Sequence, residues 1–243
     1  MNNSPPRFRR ILLKLSGEAL MGDRTYGIDP DVLGIIASEI REIHNRGIET
    51  AIVIGGGNIF RGMNSSAYRM RRTPADSIGM LATVMNAIAM GEALNNLGID
   101  TQVMSAIEMP RVAETFTAMR AIEHLKNGKI VLFAAGTGNP FFSTDTAATL
   151  RALEIGADAL LKATKVDGVY DADPVKNPKA RLFKGLTYRE YVERGLKVMD
   201  MTSITLAMGQ NLPVIVFSLK DRGNILKAVT DKNIGTLISG ETK

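Results

Sequence analysis

The sequence predicts an α/β fold in which helices cover both faces of a largely parallel central sheet. Short apolar runs alternate with helical segments along its 243 residues, which is the element order of parallel sheets. Several runs are continuously apolar, as expected for strands covered on both faces, and several end in glycine-rich turns. A chain of this length can bury a substantial core. We therefore expect a single domain over residues 1–243, built as a three-layer α/β/α sandwich.

Apolar runs give the predicted strands, which lie at Arg10–Leu15, Thr50–Ile54, Asp100–Ser105, Lys129–Ala135, Ala159–Ala163, Val214–Phe217 and Thr236–Ile238. The first helix has clear ends, because Asp29 can cap it, Pro30 suits its first position and Gly47 suits its stop. Apolar residues at three- and four-residue steps give it one buried stripe, formed by Val32, Ile36, Ile40 and Ile43. Further helices are predicted at Asp76–Leu97, Ala113–Lys126, Thr144–Ile155, Tyr188–Glu193, Ile204–Gln210 and Asn224–Val229.

Composition narrows the classes of function. No apolar run approaches the ~20 residues that span a bilayer, and Met1–Arg9 lacks the apolar stretch of a secretory signal. The absence of cysteine excludes disulfides, thiolate metal sites and cysteine nucleophiles. The two histidines, His44 and His124, are too few for a multi-histidine metal site. These features favour a cytoplasmic protein.

The net charge of +5 favours an anionic partner, either a nucleic acid or a phosphorylated small molecule. The most concentrated basic run is Tyr68–Arg72, which a solvated loop explains equally well. Aromatic residues make up only 5% of the chain, and no base-stacking motif accompanies this run. Phosphorylated small molecules are therefore the favoured partners.

Three glycine-rich turns follow predicted strands, at Lys14–Gly17, Gly55–Gly57 and Gly136–Pro140. The carboxyl ends of parallel strands share one edge of a sheet, where ligands bind. Glycines let backbone N–H groups approach a phosphate closely. A Walker A pattern is absent. The clusters that begin at Gly55 and at Gly136 both lack the third glycine of the dinucleotide fingerprint. The pattern predicts another kind of phosphate binder, with Lys14 in its first turn and Arg61 four residues after the triple glycine.

Five segments then appear in one order over nearly the whole chain: KLSGE (14–18), IGGGNIFRG (54–62), MLATVMN (80–86), TGNPFFSTD (137–145) and KATKVDGVYDAD (162–173). Together they resemble the bacterial-type uridylate kinases of the amino-acid kinase superfamily. The resemblance implies that superfamily's α/β sandwich, assembled as a homohexamer. It also implies ATP with Mg²⁺ as phosphoryl donor and UMP as acceptor, in pyrimidine nucleotide biosynthesis.

Site residues follow from the same resemblance. It implies ATP contacts at Lys14, Leu15, Ser16, Gly17, Gly57, Arg61, Thr164, Tyr170 and Asp173. It implies UMP contacts at Gly56, Asp76, Thr137, Gly138, Asn139, Pro140, Phe141, Phe142, Ser143 and Thr144. Residues 1–155 would then form mainly the UMP and oligomer lobe, and residues 156–243 mainly the ATP lobe. Many relatives have Asn where this chain has Thr164.

Effector control is a further expectation. A turn tied to GTP activation in some relatives corresponds here to Gly22, Asp23, Arg24, Thr25, Tyr26 and Gly27. The chain has Arg24-Thr25 where glycine-richer versions occur. GTP activation and UTP inhibition are thus expected from the resemblance alone.

The substrates determine the mechanism that we expect. A nucleotide phosphate is already ionised near neutral pH, with a second pKa of ~6, so no strong general base is needed. The catalytic task is to align two polyanions and neutralise charge during transfer. Lys14 is the first candidate for that charge and Lys162 the second, with Asp145 orienting the lysines. Mg²⁺ would bridge ATP oxygens without protein ligands.

Several of these residues also have plain structural interpretations. Asp145 could be an early-helix acid favoured by the helix dipole, and so could Asp76. Tyr170 could pack a loop, and Asp173 could initiate a turn. Thr137 and Thr144 could be caps.

Three other functions remain open at this point. Another kinase of the superfamily would act on a carboxylate or carbamate and would lack the TGNPFF segment. A nucleotide-holding protein without turnover would be expected to lack Lys14, Asp145 or Lys162, and all three are present. A nucleic-acid-binding protein would show binding that falls steeply with salt.

Overall fold

One mixed sheet organises the computed structural model, which describes residues 6–60 and 70–240. Its nine strands within this described part are β1 (Arg10–Leu15), β2 (Glu49–Ile54), β3 (Thr101–Ser105), β4 (Glu114–Thr115), β5 (Ile130–Ala134), β6 (Ala159–Thr164), β7 (Gly185–Thr187), β8 (Val214–Ser218) and β9 (Thr236–Ser239). Their order is β4-β3-β5-β2-β1-β6-β8-β9-β7. All neighbours are parallel except β8 and β9, which are antiparallel. The α/β class with a largely parallel sheet is confirmed.

Helices cover both faces of this sheet. They are α1 (Pro30–His44), α2 (Arg72–Asn95), α3 (Ala118–Lys126), α4 (Thr144–Glu154), α5 (Tyr188–Glu193), α6 (Met201–Gly209) and α7 (Asn224–Thr230). One apolar layer contains residues of α1, α2 and α7, and the other contains residues of α3 to α6. Side chains alternate along β1, so that Leu13 enters the first layer and Leu12 the second. Lys14 therefore shares the face of Leu12, under α4.

The predicted caps of α1 are present in the structure. Asp29 accepts hydrogen bonds from Asp31 N and Val32 N at 2.9 and 3.2 Å, and Pro30 is the first helical residue. Ile36, Ile40 and Ile43 are buried on the stripe that the spacing predicted. The predicted strand positions are likewise found, with ends that shift by at most one residue.

Other boundaries required correction. Helix α2 begins at Arg72 rather than at Asp76, because a proline in the first turn of a helix costs no hydrogen bond. The segment predicted as a helix from Ala113 first forms β4 and becomes helical only at Ala118, where Thr117 caps α3. Strands β4 and β7 were missed because they are only two and three residues long.

Helix α2 is long and apolar enough, by length and composition, to cross a membrane. Half of its most apolar stretch is buried inside the fold, where it packs against the sheet and α1. We therefore treat α2 as part of the core.

Candidate active site

The three glycine-rich turns meet at one edge of the sheet, because β5, β2 and β1 are neighbours. The first two turns touch: a Cβ atom on Gly17 would lie 2.3 Å from the carbonyl oxygen of Gly55. The third turn leads into α4, whose first residue Thr144 has its Oγ1 3.4 Å from where a Cβ on Gly55 would be. At Gly17 only a residue without a side chain allows so close an approach, so the first two turns form one continuous edge lined by backbone.

Two lysines lie side by side at this edge. Strand β6 pairs with β1 so that Lys162 is the direct partner of Lys14, and both side chains point toward α4. Their exposed fractions are only 7% and 8%. Two buried ammonium groups repel each other, so the arrangement requires a negative charge between them.

Asp145 supplies that charge from the first turn of α4. Its Oδ1 lies 2.7 Å from Lys14 Nζ, and its Oδ2 accepts a hydrogen bond from Lys162 Nζ. Lys162 also donates to the carbonyl oxygen of Val198. Burial opposes ionisation of Asp145, but the two lysines outweigh it and hold the pKa of the carboxyl below its usual range. Asp145 therefore stays ionised and holds both lysines.

The pKa of Lys162 is lowered to about 8, mainly because burial disfavours its charge. Asp145 acts in the opposite direction, and the nearby charge of Lys14 lowers the pKa further. Lys162 is thus a cation that deprotonates within an accessible pH range.

Asp200 was missed by sequence reasoning, although it fixes the start of α4. Ser143 caps α4 by accepting hydrogen bonds from Asp145 N and Thr146 N at 3.0 and 3.1 Å. Asp200 accepts hydrogen bonds from Ser143 Oγ and, at 3.0 Å, from Thr146 Oγ1, while it caps α6 at Ser203 N. The available signal was its position as an N-cap, which was hidden because the predicted helix began at Ile204, three residues after the observed start at Met201.

A cavity of about 130 Å³, the edge cavity, opens between the second turn, the third turn and the start of α2. It is lined by most residues with predicted UMP contacts, namely Gly56, Asp76, Thr137, Asn139, Phe142, Ser143 and Thr144. Gly138 and Pro140 lie in the third turn and Phe141 follows it, but none of the three lines the edge cavity. Gly138 instead gives the turn its shape, with φ of 79° and Ala106 O 3.0 Å from where a Cβ would be.

Asp76 joins α2 to the third turn. Its carboxylate accepts a hydrogen bond of 2.8 Å from Phe141 N and pairs with Arg72 Nε at 2.7 Å. Arg72 also lies over the ring of Phe141, 5.8 Å from its centroid. The carboxylate thus has a positioning role beyond that of an early-helix acid.

The residues expected at the adenosine end are not gathered in one place. Thr164 lines a second cavity of about 340 Å³, together with Ser16, Lys165 and apolar residues of α1. Tyr170 and Asp173 do not line it. Tyr170 donates to Asp167 at 3.2 Å, and Asp173 accepts from Val175 N at 3.0 Å, as a turn-initiating residue does.

The remaining predicted positions lie near the second turn or outside the described residues. Gly27 exchanges hydrogen bonds with Asn58, which brings the 22–27 segment against the second turn. Arg24 pairs with Asp29 at 3.1 Å, and Tyr26 is 72% exposed. Arg61 lies outside the described residues, as does Arg69.

Comparisons with known proteins identify relatives of this fold. The model of the amino acid kinase family matches residues 9–218. A solved UMP kinase from Bacillus anthracis is 38% identical, with a TM-score of 0.94, and the match covers 97% of each chain. UMP kinase from Ureaplasma parvum is 35% identical, with a TM-score of 0.91 over 96% of this chain and 99% of its own. Uridylate kinase from Archaeoglobus fulgidus is 28% identical, with a TM-score of 0.74 over 94% of this chain and 99% of its own.

Proposed function

The chain belongs to the amino acid kinase family, and we propose that it is a UMP kinase, which transfers the γ-phosphoryl group of ATP to UMP and yields ADP and UDP. Similarity to UMP kinases over nearly the full length of both chains supports this activity. The observation that carries it is the buried Lys14–Asp145–Lys162 cluster at the meeting point of three glycine turns. The product belongs to pyrimidine nucleotide biosynthesis.

In the proposed reaction a phosphate oxygen of UMP attacks the γ-phosphorus. The bond from that phosphorus to the bridging oxygen of ATP breaks, and ADP leaves with the electron pair. Because the attacking oxygen is already ionised, no base is required. Asp145 would be a poor base, since its pKa is lowered and both its oxygens contact lysines. Its role is to keep Lys14 and Lys162 aimed at the edge where charge develops.

We place the ATP phosphates against Lys14–Gly17, Gly57 and Arg61, and UMP in the edge cavity. The described lining of that cavity falls within residues 56–144, which supports assigning the acceptor to the 1–155 lobe. The 340 Å³ cavity at Thr164 has an apolar floor and suits the adenine of ATP better than the loop of Tyr170 and Asp173 does. The ATP lobe, residues 156–243, would then share its cavity with α1 and with the segment that follows β1.

We assign Mg²⁺ to the oxygens of ATP rather than to protein ligands. Within residues 6–60 and 70–240, no group of three or more His, Asp or Glu side chains is arranged to hold a metal ion. Asp145, the carboxylate at the site, is held by two lysines. When bound, the ion would neutralise phosphate charge.

Self-association as a homohexamer is part of the proposal. Helix α2 exposes Leu81, Met85 and Ile88, which are 49%, 53% and 41% accessible. Their spacing of four and three residues places them on one helix face. An apolar stripe of this kind is typical of an interface between subunits.

We further propose effector control by GTP and UTP, and a cytoplasmic location. The contact of the 22–27 segment with the second turn gives a physical route by which GTP or UTP could alter the site. Initial rates at limiting ATP that neither nucleotide changes would eliminate this control. The lack of cysteine suits a reducing cytoplasm.

The reaction is tested by incubating the pure protein with Mg²⁺-ATP and, separately, UMP, CMP, glutamate or carbamate. We expect ADP and UDP to form with UMP at a rate far above the other three. Preferred turnover of a carboxylate or carbamate would assign the chain to another branch of the family. ATP binding without turnover of any acceptor would contradict the kinase assignment.

A further inference from the structure

Two buried side chains in the motifs of this protein have no role in the proposed reaction. Asn58 follows the triple glycine and Asn86 lies in α2, and their exposed fractions are 2% and 0%. Asn58 Nδ2 donates to Asn86 Oδ1 at 2.9 Å, and Asn86 Nδ2 donates to Asn58 Oδ1 at 2.7 Å. The two amides therefore form a reciprocal pair.

The second N–H group of each amide is also used. Asn86 donates to Gly55 O at 2.7 Å, and Asn58 donates to Gly27 O at 3.0 Å. All four amide N–H donors thus have an acceptor. The pair connects α2, the second glycine turn and the 22–27 segment.

The pair also touches the first turn. A Cβ on Gly17 would lie 2.5 Å from Asn58 Oδ1 and 2.3 Å from Gly55 O. The Asn58 amide therefore packs against one phosphate turn while its partner Asn86 bonds the carbonyl of the other. This carbonyl is fixed in direction, and the peptide N–H of Gly56 on its far side is fixed with it.

We propose that the Asn58–Asn86 pair is a positioning element, which orients the backbone N–H groups of the first two glycine turns toward the transferred phosphoryl group. A buried polar network is not needed for stability alone, because apolar residues of similar shape can replace both partners at little cost. A fully satisfied network specifies one geometry instead. The inference rests on the proposed phosphoryl transfer and adds two residues to its machinery.

Asn86→Asp tests the pair with a side chain of nearly the same shape. The carboxylate oxygen that replaces Asn86 Nδ2 cannot donate, so it faces Gly55 O and Asn58 Oδ1 without hydrogen bonds. We expect kcat to fall about tenfold to a hundredfold, because small displacements of aligned groups have effects of this size. Thr50→Val is the control for loss of a buried donor, since Thr50 is also buried but donates to Ile48 O at the amino end of β2, away from the turns. Its kcat should equal that of the wild type.

The pH dependence separates positioning from a general loss of structure. Burial raises the pKa of the new carboxyl, and its neutral form can donate one hydrogen bond to Gly55 O. The kcat ratio of Asn86→Asp to wild type should therefore rise as pH falls from 8.5 to 5.5. The same ratio for Asn86→Ala, which cannot donate at any pH, should stay flat.

The outcomes are distinct. A kcat within twofold of wild type in folded Asn86→Asp, or a deficit independent of pH, would overturn the inference. Should Asn86→Asp fail to fold, Asn58→Asp provides the same two readouts.

If the wild type transfers no phosphoryl group to UMP, the proposed function fails by itself. The pair is then judged by calorimetry with Mg²⁺-ATP, whose affinity should weaken roughly twofold to tenfold in Asn86→Asp and be unchanged in Thr50→Val.

Discussion

At the residue scale, the site is a balance of three buried charges. Lys14 and Lys162 are direct partners on adjacent strands, and Asp145 contacts both. The three side chains of the cluster sum to one net positive charge, and Asp200 acts on Lys162 with a further, weaker negative charge. An incoming phosphate group can supply the missing negative charge, so binding relieves a repulsion that the folded protein retains.

Lys14→Met removes the first candidate for neutralising charge during phosphoryl transfer. We expect the transition state to lose about 3–4 kcal/mol of stabilisation, by analogy with the loss of an oxyanion donor, while the fold remains intact. Steady-state kinetics and thermal melting measure the two effects. Lys126→Met, at an exposed position in α3, is the control for charge removal. A near-normal rate in a folded Lys14→Met protein would remove Lys14 from the mechanism.

The pKa of Lys162 predicts a pH dependence of activity. The mechanism uses the protonated ammonium, and its pKa is lowered to about 8, so kcat/KM should fall as pH rises through that value. Because Asp145 raises the pKa of Lys162, Asp145→Asn should move this fall to lower pH. A profile that stays flat from pH 7 to 9.5 would contradict a charged role for Lys162.

At the element scale, the glycine turns depend on close approach of backbone to backbone. Gly17→Ala would place a methyl group 2.3 Å from Gly55 O, and separating the turns should cost about 1–3 kcal/mol of stability together with much of the activity. In Gly34→Ala the methyl group meets nothing within 4 Å in α1, so that variant should gain roughly 0.5–1 kcal/mol. Denaturant unfolding and UMP turnover measure both. Equal activity in the two variants would show that contact between the turns is dispensable.

Sequence patterns predicted the elements that depend on local chemistry. The cap of α1 follows from local residue preferences, and its buried stripe and the apolar strands follow from simple sequence patterns. Glycine clusters after strands indicated the ligand edge. Long-range pairing could not be predicted in this way. The Asn58–Asn86 pair joins residues 28 positions apart, and the contact of Ser143 with Asp200 spans 57. A polar residue in an apolar helix, such as Asn86, signals a buried partner without identifying it.

In the whole molecule, one sheet carries both the glycine turns and the lysine pair. Strands β1, β2 and β5 position the glycine turns, and β6 adds Lys162. Helix α2 crosses behind them with its exposed stripe turned away from the core. Assembly through α2 would therefore connect the edge cavity of one subunit with its neighbour.

Met85→Arg tests that assembly. Placing a charge at the centre of the Leu81–Ile88 stripe should dissociate the oligomer to a smaller species, because an unpaired buried charge is strongly unfavourable. Sedimentation velocity measures the change. Met208→Arg is the matched control, since Met208 is 47% exposed on α6. An unchanged sedimentation coefficient in Met85→Arg would exclude this face of α2 from the interface.

We propose that the glycine edge and its lysine pair hold two nucleotides with their phosphates end to end. A crystal structure with Mg²⁺, a non-hydrolysable ATP analogue and UMP tests it most directly. We predict a γ-phosphorus about 3–3.5 Å from a UMP phosphate oxygen, with Lys14 Nζ in contact with the γ-phosphate. Phosphates that lie far apart, or away from the Lys14–Asp145–Lys162 cluster, would contradict the account.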